Sequence, residues 1–470
     1  VTPVNFDTLI INGDVVTERG IEALDIGIVG ERIAALLLRG TPAEAREIID
    51  AAEMLVLPGA VDIHFHCRAP AYPERGDFAT ETRAAAAGGV TTIFEMPISK
   101  PCCATGDIFR ARKALGGADA YVNFALYGAP GLLKREEVQD MAAEGAVAFK
   151  IFTTGAPAGR NDEFEGLCLP GTEELFQGLS LVAETGLVCT IHCEDNPLLE
   201  WNTARLQAAG RNDIAAHGES RPPYVEALSI STVLTMNEAI GANIHIAHVS
   251  CEAALNALRR FKRMGAAATG ETCPHYLFFT EDDMQRVGPY AKINPPLRSH
   301  RDQAALWEGL ADGSLMAVTT DHSPFTVEEK ERARTDIWRT PPGSPGVEEL
   351  VLGMVDAAFK GRMSLERAVN LISTNGAKRF GVYPQKGVIA VGSDADIVLY
   401  DPHQTTTIGQ DMLFSKAKAC DKLYEGITYQ GCICRTLVNG RTVFADGEVV
   451  GQRGWGKFVR PKAEHVSREF

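Results

Sequence analysis

Three observations predict an α/β fold class, a (β/α)8 TIM-like barrel that carries a small β-sandwich formed from both chain ends. Between residues 58 and 385, apolar strands alternate with amphipathic helical stretches, as in repeated strand–helix units. The strand candidates number eight, the count of a closed barrel. Both ends of the chain read instead as short alternating strands with tight turns, so they must meet in space to share one small core. The expected organisation is residues 1–57 for the first part of the sandwich, 58–385 for the barrel, and 386–470 for the rest of the sandwich and a tail.

Near the start, Thr8-Leu9-Ile10-Ile11 runs into Asn12-Gly13-Asp14, a hairpin signal, and the alternating stretch Ala23 to Val29 follows. The barrel strands are expected at 61–67, 91–97, 122–129, 146–152, 187–194, 243–250, 267–276 and 315–324. Helical stretches such as Thr80 to Ala87, Gly171 to Glu184 and Cys251 to Arg263 lie between them. At the far end, Ile397-Val398-Leu399-Tyr400 and the strand–turn–strand unit Thr436 to Phe444 repeat the texture of the beginning.

Composition narrows the function classes. The chain has 470 residues, 45% of them hydrophobic, and a formal net charge of −15, which argues against a nucleic acid or an anionic membrane as partner. No apolar run approaches the roughly 20 residues of a membrane span and no signal pattern opens the chain, so a cytoplasmic location is expected. The 11 cysteines form no Cys-x-x-Cys pair and read as reduced thiols.

The chemistry concentrates at the ends of the expected strands. His64 and His66 stand two apart on strand one, so both imidazoles face the same side. Lys150 ends strand four, His192 strand five, His248 strand six and Asp321 strand eight. In a barrel of this type, groups at the C-terminal strand ends face one mouth, and four histidines with an aspartate suit a metal ion. Lys150 is the odd member. An ammonium beside metal ions would be repelled, whereas a neutral amine can add CO2 and become a carbamate that bridges two ions. His245, on the opposite parity to His248, is expected to face outward. Glu194 and Asp195 are expected to orient His192.

The motifs Pro58-Gly59-x-Val61-Asp62-x-His64-x-His66 and Thr320-Asp321-His322-Ser323-Pro324, with the ordered ligands between them, resemble the cyclic amidohydrolases: allantoinases, dihydroorotases and hydantoinases or dihydropyrimidinases. The resemblance covers nearly the whole chain. It implies two divalent metal ions, usually zinc but in some members manganese, cobalt or iron. His64, His66, carboxylated Lys150 and Asp321 would hold one ion, and Lys150, His192 and His248 the other. The implied reaction is hydrolytic opening of a cyclic amide, a small-molecule substrate, with Asp321 taking a proton from the attacking hydroxide and delivering it to the leaving ring nitrogen. Relatives are commonly tetramers, so a homo-oligomer, a dimer or tetramer, is expected.

Signals for the ring conflict. Arg68, two residues after His66, and Asn294 are similar to dihydroorotase substrate contacts, while Ile98 and Phe325 stand where dihydroorotases carry polar residues. Gly155 replaces the tyrosine that hydantoinases carry five residues after the lysine. Gly346, in Ser344-Pro345-Gly346-Val347-Glu348, belongs to a hydantoinase-like substrate loop. Glu95-Met96-Pro97 and Cys273-Pro274-His275-Tyr276 favour an allantoinase-like enzyme. A hydantoinase or imidase with Ile98 and Phe325 lining an apolar pocket is the alternative, followed by a dihydroorotase. A lactonase or phosphotriesterase on the same barrel, or a non-catalytic scaffold, ranks below these.

Overall fold

In the computed structural model, which describes residues 5–157, 159–332 and 335–467, two sheets organise the chain. The first is built from both ends. Strands β1 (Asn5–Ile11), β2 (Asp14–Thr17), β3 (Gly20–Val29), β4 (Arg32–Leu38), β5 (Glu44–Asp50) and β6 (Leu55–Pro58) come from the start of the chain.

The second is the barrel: β7 (Ala60–Phe65), β8 (Val90–Glu95), β9 (Asn123–Gly128), β10 (Ala148–Phe152), β11 (Val188–His192), β12 (Asn243–Ile246), β13 (Ala268–Thr272) and β14 (Ala317–Val318). These eight strands are parallel and hydrogen-bonded in sequence order. Closure between the first and last is made by Phe65 pairing with His322 and by the His66 N–H donating to the His322 carbonyl at 2.9 Å. Each predicted barrel strand is present, most of them shorter by a residue or more at an end. The seventh is cut at Thr272 because Pro274 opens the short helix Pro274–Phe278.

From the far end of the chain, β15 (Ile397–Thr407), β16 (Thr428–Val438), β17 (Arg441–Ala445) and β18 (Glu448–Val449) complete the first sheet. The two ends join where β15 runs antiparallel to β6, with Ile397 opposite Pro58. Alternating residues such as Ile10, Ile26, Ile28, Val56, Ile397 and Leu437 meet in one buried cluster, which is how period-two patterning at distant positions becomes one core.

This sheet is riveted to the barrel by polar contacts. Buried Lys386 pairs with Asp394 at 2.8 Å and Asp396 at 2.7 Å. Asn123 on β9 donates to Asp396 at 3.1 Å and accepts from Asn439 at 2.9 Å. All 11 cysteines are free. Among the described residues no helix is long and apolar enough to cross a membrane.

Candidate metal centre

The barrel mouth collects the polar residues that its strands carry. His64 lies in β7 and His66 just beyond it, Lys150 is in the middle of β10, and His192 is the last residue of β11. His248 and Asp321 lie past the ends of β12 and β14 in left-handed backbone, with φ of 37° and 48°. Arg68 shares that conformation at φ 63°. Such backbone costs a side-chain-bearing residue about 1–3 kcal/mol and clusters at functional sites.

Asp321 Oδ1 sits 3.2 Å from both His64 Nε2 and His66 Nε2. The ligand atoms of these three residues all lie within 4.8 Å of one another. Beside them, His192 Nδ1 and His248 Nε2 face each other at 3.1 Å. Lys150 Nζ is buried with no hydrogen-bond partner, as are His66 Nδ1 and His248 Nδ1. Burying so many unpartnered nitrogens is costly unless a cation or a bound group completes them. The donor set is nitrogen and oxygen only, which fits a divalent ion.

Electrostatics prepare the same site. Burial, reinforced by Lys150 at His64 and by Arg68 at His66, lowers both imidazoles to about 4, so each ring is neutral and free to ligate. Burial also lowers the Lys150 amine to about 8, against the opposing pull of Glu271 and Asp321. Burial would raise the Asp321 carboxyl, but the imidazoles of His64, His66 and His248 outweigh it and hold the group well below the usual carboxylate range.

The outer contacts are carboxylates. Glu194 Oε2 lies 2.8 Å from His192 Nε2, leaving Nδ1 for the centre, and Arg221 contacts the same oxygen. Asp195 does not orient His192, because its carboxylate caps the helix Asn196–Ala208 by accepting from the Leu198 N–H at 3.1 Å. Glu271 on β13 lies 2.6 Å from His64 Nδ1 and 3.1 Å from His245 Nε2.

His245 therefore faces the barrel interior, contrary to the parity argument from the sequence. The alternation ends with β12 at Ile246, and the left-handed turn at His248 re-aims that ring. Glu271 carries no motif, yet a carboxylate on the same strand parity as Thr269 could have flagged it.

A cavity of about 760 Å³ opens over the centre, and Arg68, Ile98 and Asn294 line it together with His217 and Arg160. Asn294 Oδ1 is buried and unpartnered. Two sequence expectations are corrected here. Phe325 does not line the cavity; its buried ring lies behind Arg68, 4.6 Å from the guanidinium, which also donates to Ser323 Oγ. An aromatic face is attracted to a guanidinium, so Phe325 acts as a plate that supports Arg68. Gly346 is likewise absent from the lining: its α-carbon faces the Tyr424 ring, its N–H donates to His322 Nδ1 at 3.2 Å, and Glu81 holds His322 Nε2 at 2.8 Å.

A profile of the amidohydrolase family matches residues 55–443. The chain belongs to the amidohydrolase family. Among its relatives, an allantoinase of Rubrobacter xylanophilus is 36% identical over 468 residues, covering 98% of this chain and 99% of that protein. An L-hydantoinase of Paenarthrobacter aurescens is 34% identical over 467 residues, covering 98% and 100%. A solved structure of L-hydantoinase (dihydropyrimidinase) from Arthrobacter aurescens matches with a TM-score of 0.91 at 34% identity, covering 97% of this chain and 100% of that one. Within this amidohydrolase, strands one, four and five and the turns after strands six and eight supply the polar centre, and the loops after strands one and two add Arg68 and Ile98 to its rim.

Proposed function

We propose that the protein hydrolyses the amide bond of a cyclic amide, opening the ring as allantoinases and hydantoinases do, with two divalent metal ions, most simply zinc. The observation that carries this reading is the set of His64, His66 and Asp321 ligand atoms within 4.8 Å, beside the buried and unpartnered Lys150 amine. His64, His66, Lys150 and Asp321 would hold one ion and Lys150, His192 and His248 the other. With its amine lowered to about 8 by burial, about a tenth of Lys150 is neutral at pH 7. The neutral nitrogen adds to CO2 and releases one proton to form a carbamate; counted from the ammonium form, two protons leave and a cation becomes an anion that would serve both ligand groups.

Bound divalent ions supply Lewis acidity, polarising an amide carbonyl and acidifying water. The chain's own residues do the rest. Asp321, held ionised by its imidazole neighbours, takes the proton of the attacking water at a carboxylate oxygen and returns it to the departing ring nitrogen. Arg68 and Asn294 present a guanidinium and an unpartnered carbonyl oxygen to the substituents of the ring, and Ile98 supplies an apolar contact. The cavity exceeds the size of a bare five- or six-membered ring, which favours a substituted one. The R. xylanophilus relative supports an allantoinase-like substrate; the P. aurescens relative supports a 5-substituted hydantoin.

Free thiols support a reducing, cytoplasmic setting. Exposed Phe176, Trp201, Tyr224 and Leu228 support a homo-oligomer, a dimer or tetramer. The test is mass-spectrometric detection of ring opening by metal-replete protein offered allantoin, dihydroorotate, dihydrouracil, 5-substituted hydantoins and cyclic imides. Opening of at least one ring, lost with a chelator, is the expected result. No opening of any ring by protein with bound metal overturns the proposal.

A further inference from the structure

We propose that Glu271 and His245 are positioning residues that set the tautomer of His64, through a hydrogen-bonded chain whose direction originates at buried Arg379 beside β12 and β13. The inference rests on His64 being a metal ligand, as argued above, but its principal readout requires neither metal nor turnover.

Arg379 ends the helix Thr374–Arg379 and is fully buried. A guanidinium has five N–H donors and no acceptor. Its Nε–H donates to Thr269 Oγ1 at 2.9 Å, and other arms donate to the carbonyls of Ile244 at 2.9 Å and Ser467 at 2.8 Å. The Thr269 hydroxyl, accepting from Arg379, has a single proton to give. His245 Nδ1 lies 2.7 Å from it, whereas the Ile244 carbonyl lies at 3.4 Å. The shorter contact takes the proton, so Nδ1 of His245 is an acceptor and its Nε2 carries the ring hydrogen.

That Nε2–H donates to Glu271 Oε2 at 3.1 Å. An ionised carboxylate only accepts. Glu271 Oε1, 2.6 Å from His64 Nδ1, therefore requires the hydrogen of His64 to reside on Nδ1. The Nε2 lone pair of His64 is then directed at the position next to Asp321 Oδ1, 3.2 Å away.

Each link is fixed by the strands. Thr190, His245 and Thr269 stand in register across β11, β12 and β13, and Glu271 follows Thr269 by two residues on the same inward face. All four chain members between Arg379 and the centre are buried at or below 1% exposure, so water does not compete for any link.

A metal-ligating imidazole whose other nitrogen donates to a carboxylate is a better base, and loss of such a partner costs about 10–100-fold in metal affinity. The experiment uses full-length protein with imidazole-15N histidine, stripped of metal, and reads His64 by long-range 15N–1H correlation, assigned with a His64→Gln sample. The Nδ1–H tautomer is expected in the wild type. Weakening of that signature is expected in His245→Phe, which removes the donor to Glu271. Competition with a fluorescent chelator then measures Zn2+ binding. Glu271→Gln and His245→Phe are expected to bind one ion per chain about 10–100-fold more weakly, with the far-ultraviolet spectrum unchanged. An Nε2–H tautomer in wild-type protein overturns the proposal. So does zinc affinity in folded Glu271→Gln equal to wild type. A protein that opens no ring yet shows the Nδ1–H tautomer and these affinity losses would overturn the function proposed above while upholding this one.

Discussion

Asp62 offers a quantitative test of how the two ends of the barrel strand series are locked around the centre. It is fully buried on β7, and its Oδ1 accepts from Thr319 Oγ1 at 2.5 Å, the Thr320 N–H at 3.1 Å and the His64 N–H at 3.3 Å. Its other oxygen accepts from Thr320 Oγ1. One carboxylate thus joins the strand that carries His64 to the segment that carries Asp321.

In Asp62→Ala the two threonine hydroxyls can rotate toward other acceptors, but the two backbone N–H groups cannot. Each buried N–H left without an acceptor costs about 1–3 kcal/mol, so the loss is about 2–6 kcal/mol before any cavity penalty. That is a large share of a typical folding free energy of about 5–15 kcal/mol. Asp62→Asn retains an oxygen for both N–H groups and offers an amide hydrogen to Thr320 Oγ1, so its cost is about 1 kcal/mol.

Urea unfolding followed by tryptophan fluorescence, with metal content measured after dialysis, checks both outcomes. The alanine variant is expected to unfold at lower urea and to retain less metal, and the asparagine variant to stay near wild type. A wild-type midpoint for Asp62→Ala would refute the reasoning. Equal losses in both variants would do so as well, since the charge rather than the acceptor geometry would then be responsible.

Three further outcomes are expected. Asp321→Asn should lower ring opening by about 100–10,000-fold while the near-ultraviolet circular dichroism stays unchanged, and retention of a tenth of the activity would rule out its proton-transfer role. Native mass spectrometry at neutral pH should find the added mass of one CO2 on the wild type, lost on acidification and missing from Lys150→Gln; an unmodified wild type with full metal content would remove the carbamate from the site. Stability should decline between about pH 5 and 8, because burial pushes Glu95 to about 7 and Glu348 to about 8. Both carboxyls are raised above their unfolded values. Their stabilising contribution is complete below about pH 4 and is lost progressively as pH rises from there to the folded values of about 7 and 8, at up to about 1.4 kcal/mol per pH unit for each group. Glu348→Gln should flatten that decline in urea midpoints between pH 5 and 8, and parallel curves for the two proteins would refute the assignment.

Much of the architecture was legible in the chain because its signals are local. Eight apolar runs separated by helical stretches predict the barrel, and alternating strands at both ends predict the shared sheet, since period and turn chemistry are properties of short segments. The convergence of His64, His66, Lys150, His192, His248 and Asp321 was legible for the same reason: each lies in or just after an apolar strand run, and in a closed barrel those positions share one mouth.

What the sequence could not decide depends on side-chain direction beyond a strand's end. His245 was assigned outward from its spacing to His248, but regular alternation stops at Ile246 and the turn at His248 rotates the later ring, leaving His245 inside against Glu271. Phe325 reads as pocket lining in a one-dimensional motif and packs instead behind Arg68; Gly346 donates its N–H to His322. Glu271 and Arg379 belong to no motif, because a hydrogen-bonded chain across the barrel interior joins residues from strands and a helix more than 100 positions apart. The types and strand order of the polar residues at the mouth are written in the sequence; which nitrogen of each imidazole faces the centre is decided only when tertiary packing brings its outer partner into place.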